Sequence, residues 1–192
     1  MLDTKTTRTP SEANSRQDMR RHIAMGPLSA VITVALLRIF SSASWLNGAF
    51  IGKDAKFAPS FLSGSGLVQR ITGGQMGGFV HTAINSGVSS WLIHSVVPHA
   101  AVFAWLLALG EAGVGISLLL GLFTRLGGLF AIVQAIINIL IAAGMGTDTI
   151  FHNYLLIILG LAVMFAAAGR KYGIDALLIR RFPNSRLLRL VA

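Results

Sequence analysis

Four long apolar runs, separated by polar and glycine-rich stretches, set the pattern of this chain. They extend from about Pro27 to Phe50, Ala100 to Leu122, Gly127 to Met145 and Asn153 to Ala168. A helix crosses a hydrocarbon core of ~30 Å in ~20 residues, so each run has the length of a membrane span. The fourth is short, and tilt or overlap with Ile150 and Phe151 would complete it. Between the first two runs lie residues 51–98, a connection whose first part is rich in Gly and Ser. In its second part Val80, Ile84, Val88, Trp91 and Leu92 recur at helical spacing, which predicts an amphipathic helix in the membrane interface anchored by Trp91. The pattern predicts an all-α integral membrane protein: a four-transmembrane-helix bundle with an extracytoplasmic interfacial helix between helices 1 and 2.

The ends differ from the middle. Residues 1–24 carry Ser, Thr, Arg and Lys with no apolar period and read as a mobile basic tail. Residues 25–169 form the expected membrane domain, and residues 170–192 a second basic, interfacial tail. Ser42-Ala43-Ser44 resembles a signal-peptide cleavage run, but Arg38 interrupts the apolar stretch before it, so a retained span is expected. Lys5, Arg8, Arg16, Arg20, Arg21, Arg125, Arg170, Lys171, Arg180, Arg181, Arg186 and Arg189 fall on one side of the predicted spans. Lys53, Lys56 and Arg70 fall on the other. By the positive-inside rule both termini are cytoplasmic and residues 51–98 extracytoplasmic, in a multi-pass protein of a bacterial or archaeal cell membrane.

Composition agrees. Of 192 residues 54% are hydrophobic and 12% charged, with a mean hydropathy of +0.70; soluble domains carry about 25% charged residues. The net charge of +9 sits beside the apolar runs, as attraction to anionic lipid requires, and not in a pattern that suits nucleic acid. The chain has no cysteine, which excludes thiolate-held metals, iron–sulfur clusters and persulfide chemistry on this chain. No nucleotide motif, hydrolytic triad or zinc spacing is present. Transport is disfavoured, since four spans without an inverted repeat offer little alternating-access machinery.

Candidate chemistry begins with two charges inside apolar runs, Arg38 and Glu111, because an ionised side chain at mid-bilayer costs at least ~2.5–3.5 kcal/mol. Each lies eleven residues into its run, as does Asn138, or ~16 Å at 1.5 Å per residue. Gln134 shares a helix face with Asn138, and Ser41, Ser42 and Trp45 share one with Arg38. An Arg38–Glu111 pair reads either as a buried brace or as part of a polar pocket for a quinone head group or a proton path. Gly110, Ala112, Gly113 and Gly115 would let a helix or a flat ring approach Glu111. His81, His94, His99 and His152 fall on the extracytoplasmic side. His94 and His99 lack the i, i+4 spacing of a helical metal pair, so no metal site is assigned. They read as helix caps or lipid contacts, or, for His99 and His152, as donors to a quinone carbonyl.

Three stretches carry a resemblance. Leu37-Arg38 through Trp45-Leu-Asn47-Gly48 to Lys53, then Glu111-Ala-Gly-Val-Gly-Ile-Ser-Leu-Leu-Leu-Gly121-Leu-Phe-Thr-Arg125, and finally Gly169-Arg-Lys-Tyr-Gly173-Ile-Asp175 resemble, in order, the DoxX/DoxD family. They span most of residues 36–178. The resemblance implies a four-helix membrane subunit tied to quinone-linked redox, of the thiosulfate:quinone oxidoreductase type, passing electrons from a reduced sulfur compound to membrane quinone. Family-site positions would be Arg38, Trp45, Asn47, Lys53 and Glu111, with Trp45 stacking on the ring. Asn47 is nine residues from Arg38, on the opposite face of the helix. The partners so implied are lipid, quinone and protein subunits in the membrane or on its extracytoplasmic side. The alternative is a non-catalytic accessory subunit docked in a larger respiratory or photosynthetic complex.

Overall fold

The structure, a computed structural model, describes residues 32–51, 55–73, 78–166 and 169–192. The N-terminal tail, the first residues of the first apolar run and Lys53 lie outside them. Contacts divide the chain at Thr33/Val34; of the first unit only Ile32 and Thr33 are described, both helical. The description below concerns the second unit.

All regular structure among the described residues is helical. Helix α1 runs to residue 50. Short helices α2 (Pro59–Leu62), α3 (Ser65–Thr72) and α4 (Phe79–Thr82) follow, then α5 (Ser86–Trp91). The three long helices are α6 (Ala100–Leu120), α7 (Thr124–Ala142) and α8 (Thr147–Ala166), and the chain ends in α9 (Gly169–Tyr172), α10 (Ile174–Arg181) and α11 (Arg186–Val191). Ser86–Leu120, Thr124–Met145 and Thr147–Ala166 are each long and apolar enough to cross a membrane. Large apolar side chains such as Leu36, Phe40, Leu106, Ile158 and Phe165 point outward, the arrangement that lipid as solvent permits.

The stretch expected as a single interfacial helix is divided. Asn85 breaks it, its side chain accepting the Val88 N–H at 3.0 Å and so capping α5. From Ser86 onward the helix is continuous with the second span. Just before Pro98, Leu92–Val96 widen into a π turn, with the Val97 N–H bonded to the Leu92 carbonyl, and a 3₁₀ turn over Val97–His99 follows. Proline supplies no N–H and crowds the preceding turn, so the helix re-winds around it instead of stopping. The helix over the fourth apolar run starts at Thr147, earlier than the run itself, which makes it long enough to cross a membrane.

Small residues set the packing. A Cβ on Gly115 would lie 2.7 Å from Leu46 of α1, and one on Gly128 would lie 2.8 Å from the Gly160 carbonyl, so α1 approaches α6 and α7 approaches α8 at backbone range. Trp45, Val114, Leu118, Ala131, Ala135, Leu156 and Val163 join in one core, to which α1, α6, α7 and α8 all contribute. Phe61, Leu67 and Ile71 of α2 and α3 bury themselves with Leu92, Val96, Ala100 and Ala104 in a second. The extended connection is thus folded against the first half of the second span.

Register corrects one expectation. Gly48 of α1 lies against Glu111, and Arg38 lies against Gly121. Both pairs are separated by ten residues, so the helices run antiparallel with Arg38 and Glu111 ~15 Å apart along them. Arg38 is level with the end of α6, not its middle, and the Arg38–Glu111 brace does not form. Equal counting from the apparent ends of two runs fails because packing, not run length, fixes how antiparallel helices slide.

Candidate functional site

Glu111 is the polar centre of a cavity of about 540 Å³ bounded by α6, α7 and the folded connection. Just past α1 the chain turns back, with the Lys56 N–H bonded to the Gly48 carbonyl at 3.1 Å and the Phe57 N–H to the Ala49 carbonyl at 3.0 Å. That turn delivers the Lys56 ammonium to Glu111 Oε1 at 3.4 Å. Gln134 of α7 donates to the same oxygen at 3.4 Å. Arg70 from α3 adds its field. Lys56 and Arg70 both stand over the ring of Phe61, at 5.9 and 5.1 Å from its centroid, where the negative ring face favours cations.

Glu111 is 7% exposed, so its charge is tolerated because a cation and an amide accompany it. Its second oxygen, Oε2, has no hydrogen-bond partner among the described residues. It packs on Gly48, where a Cβ would sit 2.6 Å away. A carboxylate oxygen left this way inside a protein is costly, about 1–3 kcal/mol or more. Around it the cavity wall is apolar and aromatic: Phe61, Phe79, Trp91, Phe103 and Phe130 line it, with Gln134 and Asn138 as polar additions. Trp91 and Phe103 meet edge to face, 6.0 Å apart. A volume in the ~300–1,000 Å³ range, apolar walls and a few converging polar groups describe a small-molecule site.

The predicted residues separate into two groups. Glu111, Gln134 and Asn138 come together here. Trp45 does not; it is 3% exposed in the core shared by the long helices. His99 and His152 are exposed, and Asn47 is exposed on α1. Lys56, Arg70 and the aromatic wall went unassigned by sequence. One signal could have found the cations: a buried Glu needs a counter-charge, and the connection holds few.

Arg38 belongs to a different construction at the far end of α6. It shares one side of α1 with Ser41, Ser42 and Trp45, all buried, as the spacing predicts. Its Nη2 donates to the Tyr172 carbonyl at 2.8 Å, and its guanidinium packs on Gly121 and Gly173. Gly121 ends α6 at φ 63°, and Phe123 takes φ 50° before α7 begins, a left-handed conformation that a bulky residue adopts only when held. Asp175 holds it: its carboxylate accepts the Phe123 N–H at 2.7 Å, the Thr124 N–H at 2.9 Å and the Thr124 hydroxyl at 2.6 Å. The Asp175 N–H returns a bond to the Gly121 carbonyl at 2.9 Å. The Gly121-to-Arg125 and Gly169-to-Asp175 stretches thus serve as a structural knot around Arg38.

Among the described residues no group of His, Asp and Glu could hold a metal ion. No curated protein and no solved structure matches the chain. The ordered motifs, now seen as one knot and one carboxylate-centred cavity, are matched as a whole by a family model: TQO small subunit DoxD covers residues 28–192, and the chain belongs to the DoxD family.

Proposed function

We propose that this chain is the membrane subunit at which a quinone is reduced with electrons derived from a sulfur compound, and that the Glu111 cavity receives the quinone head group. The observation that carries this reading is the cavity itself: a largely apolar space beside a buried carboxylate with one oxygen unpartnered. Family membership supports the quinone-linked class of chemistry. The fit is chemical as well. A quinone ring is flat and apolar with two carbonyl acceptors. The cavity offers aromatic walls, donors in Lys56, Gln134 and Asn138, and a carboxyl group for proton exchange.

Reduction of a quinone to a quinol takes up two electrons and two protons. The electrons enter through a partner subunit, because a chain without cysteine holds no iron–sulfur cluster on thiolates. Glu111 in its protonated form gives one proton to a ring oxygen, is reprotonated from water and gives the second, a general acid–base role worth typically 10²–10⁴ in rate. Lys56 holds Glu111 in place and offsets its charge between turnovers. Gln134 orients the carboxylate, and the aromatic side chains exclude water. Four crossing helices, α1, α6, α7 and α8, with both termini cytoplasmic agree with the asymmetry of Lys and Arg. That orientation sets the cavity in the outer half of the membrane.

The test is quinone reduction by the assembled complex carrying Glu111→Gln, which keeps shape and removes proton exchange. Turnover should fall by about a hundredfold with the subunit still inserted and assembled. Turnover equal to that of the unaltered complex rules out Glu111 as the proton-exchanging group.

A further inference from the structure

A second hollow lies on the outer face of the α6–α7 pair, about 310 Å³ in volume. Gly110 and Phe130 line both this groove and the Glu111 cavity, so the two spaces adjoin across a shared wall. From Gly110 the groove follows the helices away from the folded connection, past Gly113 towards Ser117, Phe123 and Leu126. It is apolar in effect, because the Ser117 hydroxyl is spent on the Leu122 carbonyl at 2.6 Å. Gly113 is the telling position. A Cβ built there would meet nothing within 4 Å, so the glycine serves no close helix contact. Gly115, on the same helix, is pressed against Leu46. Gly113 instead keeps an outward channel open in a helix where glycine costs about 1 kcal/mol relative to alanine.

We infer that this groove seats the apolar tail of the molecule whose head group enters the Glu111 cavity. The inference rests on the reading of that cavity as a quinone site. Glu111, Lys56, Gln134 and Asn138 are polar residues of the cavity wall on which the polar end would rest. The shared wall at Gly110 and Phe130 fixes where the tail leaves. The groove faces outward between exposed Leu126 and Phe130, on the surface that lipid covers. An apolar chain drawn from the membrane enters it without crossing water, and burying its methylenes gains affinity without further polar recognition.

Gly113→Leu projects into the groove from a position where a Cβ would meet nothing within 4 Å and replaces glycine by a better helix former. Binding is read in the full chain in lipid nanodiscs, as quenching of Trp91, a residue of the cavity wall, with Trp91→Phe as the blank. A quinone with a single isoprene unit and one with a long isoprenoid tail are the two probes. Gly113→Leu should weaken the long-tailed quinone about tenfold and leave the short one within about twofold. Leu109→Phe, which narrows the groove from a neighbouring position, should give the same selectivity if Gly113→Leu does not fold. Equal effects on the two probes, or none on either, overturn the tail groove while the cavity reading stands. Failure of both quinones to quench the unaltered protein overturns the cavity reading and the groove together.

Discussion

Asp175 and Glu111 are both buried carboxylates, and they are held in opposite ways. Asp175, fully buried, accepts three hydrogen bonds and lies within the field of Arg38. Glycines press in on every side of that knot: a Cβ on Gly173 would lie 2.7 Å from Arg38 Nη1 and from the Gly121 carbonyl. Glu111 shares one oxygen between an ammonium and an amide, both at 3.4 Å, leaves the other unpartnered, and borders a cavity of about 540 Å³. A carboxylate satisfied like Asp175 holds structure. Glu111 instead lines a cavity, and its unpartnered oxygen costs stability. The two carboxylates therefore differ in how completely each is satisfied.

Substitutions at the two centres should separate stability from turnover. The largest stability effect belongs to Asp175→Ala, which strands the Phe123 and Thr124 amides and releases the left-handed turn between α6 and α7. A loss of about 3–5 kcal/mol is expected, read as a lowered unfolding midpoint in detergent. Glu111→Gln should barely move that midpoint while removing turnover. If the two variants destabilise the protein equally, the contrast between knot and site collapses.

Gly48→Ala sharpens the contrast at lower amplitude. Its Cβ would sit 2.6 Å from Glu111 Oε2, so the carboxylate must move by several tenths of an ångström. Turnover should fall about tenfold, since ångström-scale misplacement of a reacting group is felt strongly. Stability should change by less than about 1 kcal/mol, because alanine improves the helix. Unchanged turnover would mean that the position of Oε2 does not matter. Smallest of all, His99→Ala with His152→Ala should leave quinone turnover within about twofold, because both side chains are exposed. A larger loss, measured in the same assay, would return the histidines to the site.

Much of this was legible from local pattern. Apolar run length gave the long helices, and Asn85 and Gly121 punctuate the helices as their residue types require. Spacing placed Ser41, Ser42 and Trp45 on the face of Arg38, and Gln134 with Asn138. Pairing was not legible. Lys56 and Arg70 sit in a Gly/Ser-rich connection that has no periodicity of its own, and only its folding back over α6 brings them to Glu111. Trp45 has the character of a ring-stacking residue in sequence, yet the same amphipathic bulk serves equally well in a core.

By itself the sequence determined that this is a helical membrane protein of the DoxD family with two costly charges inside apolar runs. The helices and the charges within them follow from hydropathy and helical period, which are local along the chain. The family rests on the ordered motifs and the family match. Only the tertiary structure showed that Arg38 is held in a knot and that Glu111 lines a cavity. Antiparallel sliding of α1 against α6 is set by where glycines allow backbones to touch, at Gly48, Gly115 and Gly121. Such contacts join residues far apart in sequence, and no count along a single helix contains them.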